Sequence, residues 1–248
     1  MTTLLECREL SRRFGGLTAV SGVSLGFELG QVHAVIGTNG AGKSTLINML
    51  SGELPASGGQ VLLQGTDITA WPQPRRARAG VGRSYQRTTI FPEFTVFENC
   101  RLSAQARHPR PWALWERAAT CAATAAIARR ALAAVGLDAL ADRPAGSLSH
   151  GGKRQLEIAM CLATEPSVLL LDEPLAGMGA EETDRMLEVL QGLKAGHAVL
   201  LVEHDMDAVF RIAERITVMV NGSVIASDTP QAIRDNHEVQ VAYLGDPA

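Results

Sequence analysis

Missing from this sequence is any apolar run near the ~18 residues that a membrane-spanning helix needs. The apolar runs "VLLL", Val168–Leu171, and "AVLLV", Ala198–Val202, have the length of buried strands. Cysteine is scarce. Cys7, Cys100, Cys121 and Cys161 show no CxxC or metal-ligand spacing, which favours unpaired thiols in a reducing compartment over a disulfide framework. An excess of one charge is also lacking, and a formal net charge of −3 over 248 residues supplies no global attraction for nucleic acid. Internal repeats, low-complexity linkers and sustained heptads are absent. The opening "MTTLLECRELSRRF" carries Glu6 and Glu9 within its short apolar part, so no signal peptide is expected. What is present is the composition of a globular chain, 46% hydrophobic and 20% charged. It is long enough for a substantial core, as one domain or one domain with an insertion. The expectation is a cytoplasmic protein.

The first quarter reads as half-buried strands, "LLECREL", "VSLGF" and "QVHAVI", followed by a glycine-rich turn and the helix "KSTLINMLSG" stopped at Gly52. "VLLQGTDIT" returns to strand, and "VGRSYQ" ends another near Gln86. From about Phe91 to Thr164 the texture turns helical. "AATCAATAAIARRALAAVG", Ala118 to Gly136, predicts a strong helix with Gly136 as its stop, after a loop at "HPRPW". Strands and helices then alternate through "VLLLDE", "AEETDRMLEVLQGL", "HAVLLVEH" and "DMDAVFRIAE". "ITVMV", Asn221-Gly222 and "SVIASD" carry a hairpin signal. This order implies a mainly parallel sheet covered on both faces, with residues 91–164 inserted as a helical subdomain between core segments 1–90 and 165–248.

"GTNGAGKST", Gly37 to Thr45, fits G-x-x-x-x-G-K-[ST] between a strand and a helix. Gly37, Gly40 and Gly42, with Thr38, Asn39 and Ala41 between them, let backbone N–H groups turn onto a polyphosphate. Lys43 reaches the terminal phosphates, and Ser44, followed by Thr45, offers a hydroxyl to Mg²⁺. A nucleoside triphosphate is expected here, and no N-K-x-D segment selects guanine. Asp172 and Glu173 end the buried strand "VLLLDE", where open α/β sheets place their ligands. Asp172 suits Mg²⁺, directly or through water, and Glu173 suits the general base that polarises the attacking water. Gln86 ends a strand where its amide could contact Mg²⁺ and that water, although alone it reads as a surface loop residue. His204, in "LLVEHD", follows a buried strand and would sit near the γ-phosphate if the sheet is doubly wound.

"SLSHGGKRQLEIAM", Ser147 to Met160, admits two readings: a nucleophile beside its base at Ser149-His150, or an anion cradle before a helix. No acid is spaced to orient His150 as a base. Together with "LSHGG" as the deciding piece, these motifs resemble the ATP-binding subunit of ABC transporters over nearly the whole chain. The resemblance implies a P-loop ATPase core with an N-terminal antiparallel β subdomain and an inserted helical subdomain. It makes "GTNGAGKST" the Walker A loop, Gln86 the Q-loop, "LSHGG" the signature, "VLLLDE" Walker B and His204 the switch histidine. It also makes Phe14 the aromatic on which adenine stacks. ATP and Mg²⁺ would be held between two such cassettes, self or paralogue, head to tail. Ser149, Gly151 and Gly152 of one would then face the γ-phosphate held by the other, with Ser149 as helix N-cap.

"RRFGGLTAVSGVSL", "RSYQRTTIFPEFTVFEN", "RQLEIAMCLATEPSVLLLDEPLAGM", "VEHDM" and "VAYLG" look like subunits of branched-chain amino acid importers. The insertion at Arg107 to Thr124 favours the longer of the two paralogous ATPases. That subfamily also serves urea, amides and aromatic acids. The resemblance implies two permease subunits, an external solute-binding protein reached indirectly, no nucleic acid, and a place on the cytoplasmic face of the membrane. Residues 86–99 would touch the permease, with Phe91, Phe94 and Phe97 as contact candidates. His150 stands where the signature generally has Gly, and Gly179 where the D-loop has Asp or Asn. Arg75, Arg76, Arg78, Arg83 and Arg87 read as a solvated face. Rivals are the lipopolysaccharide exporter ATPase, whose hallmark "DHN" is "EHD" here, a soluble non-transport ABC ATPase, a P-loop metabolic kinase, and a binding module without turnover.

Overall fold

The computed structural model describes residues 2–84, 89–107 and 121–244. The chain runs β1 (Thr3–Phe14), β2 (Leu17–Glu28), β3 (Gln31–Gly37), α1 (Lys43–Ser51), β4 (Gly58–Leu63), β5 (Thr66–Asp67), α2 (Gln73–Ala79) and β6 (Val81–Arg83). It continues as α3 (Val96–Arg107), α4 (Ala122–Ala134), α5 (His150–Leu162), β7 (Val168–Asp172), α6 (Ala180–Leu193), β8 (Ala198–Val202) and α7 (Met206–Ile212). β9 (Arg215–Val220), β10 (Ser223–Asp228), α8 (Pro230–Arg234) and α9 (His237–Leu244) complete it.

Two sheets result. The antiparallel one has strand order β2-β1-β4-β5; the other has order β10-β9-β3-β8-β7-β6. In the second, β9, β3, β8, β7 and β6 are parallel and only β10 is antiparallel. Every residue of β7 and β8 is buried, as their uninterrupted apolar runs require of central strands. Their side chains alternate between two cores. Leu169, Leu171, Val199 and Leu201 pack with α3, α4, α5 and α6, while Val168, Leu170, Leu200 and Val202 pack with α1 and the antiparallel sheet. The alanines of α4 work as spacers: Ala128 and Ala131 are buried among Cys100, Ala104, Leu132 and Leu156. The helix spans Ala122–Ala134 and stops before Gly136, which has φ +73°, while residues 118–120 of the expected helix lie outside the described residues. The hairpin turn is of the left-handed type that its Asn-Gly pair favours, with φ +47° at Asn221 and +82° at Gly222.

The basic run is not one solvated face. Arg75 and Arg78 are exposed, but Arg76 is 2% exposed and donates to the carbonyls of Met49, Leu50, Thr69 and Trp71. It thereby closes the C-terminal end of α1, where unpaired carbonyls and the helix dipole favour a cation. Burial pulls its pKa down to about 10. The Arg83 side chain, 8% exposed, is likewise turned inward, against Asn48, Ser51 and Glu53, and Arg87 lies outside the described residues. Among the described residues no helix is long and apolar enough to cross a membrane.

Candidate functional site

The order β3-β8-β7-β6 brings the chemistry to one edge. These strands are parallel and in register, with Val35 and Asp172 both opposite Val202, and Arg83 opposite Leu170. Their C-terminal ends therefore deliver the Gly37–Thr45 loop, His204, Asp172-Glu173 and Ser84 to the same side. Gln86 lies outside the described residues.

The loop is held by backbone contact. Gly42 has φ +100°, and a Cβ there would lie 2.4 Å from the Ala19 carbonyl oxygen. The hairpin glycine supports it, since the Gly222 N–H donates to the Ala41 carbonyl at 3.0 Å. No side chain caps α1 at Gly42, so the first turn presents its N–H groups at a dipole end suited to an anion. Lys43 Nζ donates to the carbonyls of Gly37 (2.6 Å) and Thr38 (3.0 Å). Burial lowers its pKa, and the nearby carboxylates of Glu173 and Asp172 oppose that shift. Ser44 is exposed.

Asp172 is 5% exposed, and burial raises its carboxyl pKa, offset by the charges of Arg83 and Lys43. Arg83 Nη2 lies 3.8 Å from Asp172 Oδ2, whereas Oδ1 is buried with no hydrogen-bond partner among the described residues. A buried carboxylate oxygen so placed fits a hard cation with oxygen ligands. Glu173 leaves the strand with φ +49°, which costs of order 1 kcal/mol. Its N–H still donates to Val202 O at 2.9 Å, so the turn is anchored to β8.

His204 is exposed at the end of β8, beside Glu203, which is 1% exposed. Glu203 accepts from the N–H groups of Leu175 (2.8 Å) and His204 (3.2 Å), joining the turn after Glu173 to the one carrying His204. Burial pushes its pKa up, and those two N–H groups pull against that shift. Phe14 is 44% exposed near the tip of the β1–β2 hairpin, with the Arg12 guanidinium 4.6 Å over its ring. One face of that ring is therefore already covered by a cation.

The signature segment opens α5. Ser149 is its N-cap, and its Oγ accepts from Gly152 N at 3.1 Å. The Gly152 N–H is therefore engaged within the chain, unlike the expectation that it points at a phosphate. Ser149 and His150 are no dyad: Ser149 Oγ donates to Glu182 Oε1 at 2.9 Å, and His150 Nε2 meets the Ala176 carbonyl at 3.0 Å. Further along α5, Glu157 pairs with Arg154 (2.9 Å) and accepts from Thr89 N (3.0 Å). Beside it lies a cleft of ≈ 210 Å³ lined by Arg83, Ser84, Thr89 and Cys161. Phe91 and Phe94 are 51% and 43% exposed, with ring centroids 5.5 Å apart, while Phe97 packs on the core.

Arg83, Glu203, Gly222 and Glu182 are the residues that pattern reading missed. Arg83 gave a signal as part of the basic run, Gly222 as half of the hairpin turn and Glu203 within "EHD", none of which pointed to these contacts, and Glu182 gave none.

Residues 20–176 match the ABC transporter family, and residues 223–248 match the branched-chain amino acid ATP-binding cassette transporter family. The chain is 42% identical to the high-affinity branched-chain amino acid transport ATP-binding protein BraF of Pseudomonas aeruginosa, covering 98% of each chain. It is 40% identical to LivG of Salmonella typhimurium, described in the same words, again over 98% of each. A nucleotide-free ATP-binding cassette from an ABC transporter superposes with TM-score 0.85 at 30% identity, over 98% of this chain and 100% of that one. The ADP conformation of an ATP-binding cassette superposes equally well, at 29% identity over 99% and 100%. The chain belongs to the branched-chain amino acid transport family of ABC transporter ATP-binding proteins, ATPases whose hydrolysis is coupled to transport.

Proposed function

We propose that this chain is the ATP-hydrolysing subunit of an importer for branched-chain amino acids, or for related small polar solutes such as urea, amides and aromatic acids. The observation that carries the reading is similarity over 98% of the chain to proteins named for branched-chain amino acid transport, together with the C-terminal family match. The "EHD" at Glu203–Asp205 weighs the same way against a lipopolysaccharide-type exporter.

The residues divide the work by position. The Gly37–Thr45 backbone holds the phosphates, and Lys43 exchanges its loop carbonyls for phosphate oxygens. Phe14 supports the adenine on its open face. Ser44 and Asp172 would hold Mg²⁺, joined by Gln86, and the cation when bound neutralises charge on the phosphate oxygens. Glu173 accepts the proton of the attacking water, from a turn whose backbone is anchored to β8. His204 senses the γ-phosphate, its loop tied to the Walker B turn through Glu203.

A second cassette, self or paralogue, completes the site by presenting Ser149 and Gly151. Two permease subunits dock at residues 86–99, where Phe91 and Phe94 offer an exposed apolar surface, and a solute-binding protein outside feeds them. The protein then sits at the cytoplasmic face of the membrane.

The test is Glu173→Gln. Loss of the base is expected to reduce turnover by roughly 10²- to 10⁴-fold while ATP binding persists. Turnover at the parental rate would overturn the assignment.

A further inference from the structure

Helix α5 already carries an anion at its N-terminus, and that anion belongs to the same chain. Glu182 Oε1 accepts from Ser149 Oγ at 2.9 Å and from Gly151 N at 3.3 Å. The approach is close: a Cβ on Gly151 would lie 2.7 Å from the Glu182 carboxylate carbon. Only glycine at that position lets the carboxylate reach the backbone. Glu182 comes from the first turn of α6, and with Arg185 it walls a pocket of ≈ 40 Å³ in front of Ser149, Gly151 and Gly152.

Ser149 Oγ and Gly151 N–H are the donors that the proposed function assigns to the γ-phosphate of the facing cassette's ATP. A carboxylate and a phosphate cannot both take them. Each donor hydrogen serves one acceptor, and two anions in contact repel. We propose that Glu182 is an internal stand-in for the terminal phosphate, which ATP must displace before the two cassettes close. It thereby sets the ATP concentration that turnover requires. This rests on the reading of Ser149 given above.

A merely structural carboxylate would behave differently. At a helix N-terminus it would favour the α5 dipole, so its loss would lower stability and leave the ATP requirement unchanged or raised. Competition for the seat predicts the opposite direction, because apparent affinity falls by the fraction of molecules whose seat is open.

The experiment is an ATP titration of turnover by the full transporter complex containing this chain. In Glu182→Ala, half-saturation should move to roughly three- to tenfold lower ATP, a larger change than any in the maximal rate. Glu182→Gln should move the same way, since a neutral amide oxygen is a weaker acceptor than a carboxylate. It decides the matter if the alanine variant fails to fold. Glu181→Ala, on the same turn but 90% exposed, should leave half-saturation in place and so exclude a general charge effect. Half-saturation unchanged or raised in the Glu182 variants, with turnover lost in Ser149→Arg, overturns the competitor alone. Normal turnover in Ser149→Arg overturns the signature reading and the competitor with it.

Discussion

Among the described residues, the N-termini of α1 and α5 are the two proposed anion seats, and they are built in opposite ways. At α1 the cap residue is Gly42, no side chain closes the turn, and the loop is shaped by backbone contacts with Ala19 and Gly222. At α5 the cap is Ser149, whose hydroxyl holds Gly152 N, while Glu182 takes Gly151 N from the neighbouring helix. The first seat faces its ligand with unshared backbone dipoles. The second is closed on its own chain. The contrast teaches that a seat completed within one subunit can be preformed, whereas one proposed to serve a partner's nucleotide would have to stay satisfied until that partner arrives.

The comparison breaks most severely at Gly42. An alanine there meets the Ala19 carbonyl at 2.4 Å and must adopt φ +100°, a conformation that L side chains avoid. Gly42→Ala should lose ~2–4 kcal/mol of stability and weaken ATP binding by more than about tenfold. Denaturant unfolding and nucleotide titration check both. Binding at parental affinity would show that the α1 seat tolerates a side chain and is not built on backbone contact.

This asymmetry also accounts for what pattern reading could see. The α1 seat is local: nine consecutive residues between a strand and a helix define it, so its motif is visible without a structure. That Asp172, Glu173 and His204 share its edge follows from alternating strands and helices, which put the ends of parallel strands on one side, although the strand order itself was not legible. The α5 seat was legible only as far as Ser149 and its glycines. Glu182 lies 33 positions from Ser149, on a helix whose acidic first turn reads as an ordinary dipole effect. Arg76 and Arg83 misled for a related reason. In sequence they are members of a basic run, and only the fold puts one on the carbonyl end of α1 and the other between Glu53 and Asp172. Local spacing finds groups that face a ligand, and it cannot find groups that face each other.

A second prediction concerns the strand that launches the α1 seat. His33 of β3 is buried, with Nδ1 at 3.2 Å from the Gly26 carbonyl and Nε2 at 2.7 Å from Thr217 Oγ1. A carbonyl only accepts, so Nδ1 carries the proton, and in the neutral ring Nε2 accepts from the threonine hydroxyl. Burial is the main cause that lowers its pKa from 6.5 to about 4, aided by the charge of Arg215 and opposed by the Gly26 carbonyl. Between those two values the unfolded chain binds the proton and the folded chain does not. The stabilisation is therefore complete above pH 6.5 and is lost as pH falls toward 4, by ~2 kcal/mol between pH 7 and 5. Urea midpoints at the two pH values, compared with His33→Gln, isolate this share. An identical pH slope in the variant would remove His33 as its source.

The smallest effect belongs to the glycine that departs from the family pattern. Gly179 is the N-cap of α6, with φ −76° and ψ 167°, and its side offers no side-chain cap. A Cβ there meets nothing within 4 Å. The backbone is one that any residue adopts, so nothing in the fold requires glycine, in contrast to Gly42. Aspartate at this position can accept from the N–H groups of the first turn, which also carries Glu181 and Glu182. The gain over glycine at an N-cap is a few tenths of a kcal/mol, reduced by repulsion from those two carboxylates. Gly179→Asp should therefore shift the unfolding midpoint by ~1 °C or less. Its larger readout is functional. The new carboxylate restores a polar group to the segment between Walker B and Glu182, so cooperativity between the two nucleotide sites should rise in the assembled transporter. Cooperativity unchanged in Gly179→Asp would mean that this chain couples its sites without a polar group at 179, and would leave His150 on Ala176 O as the contact joining the signature to that turn.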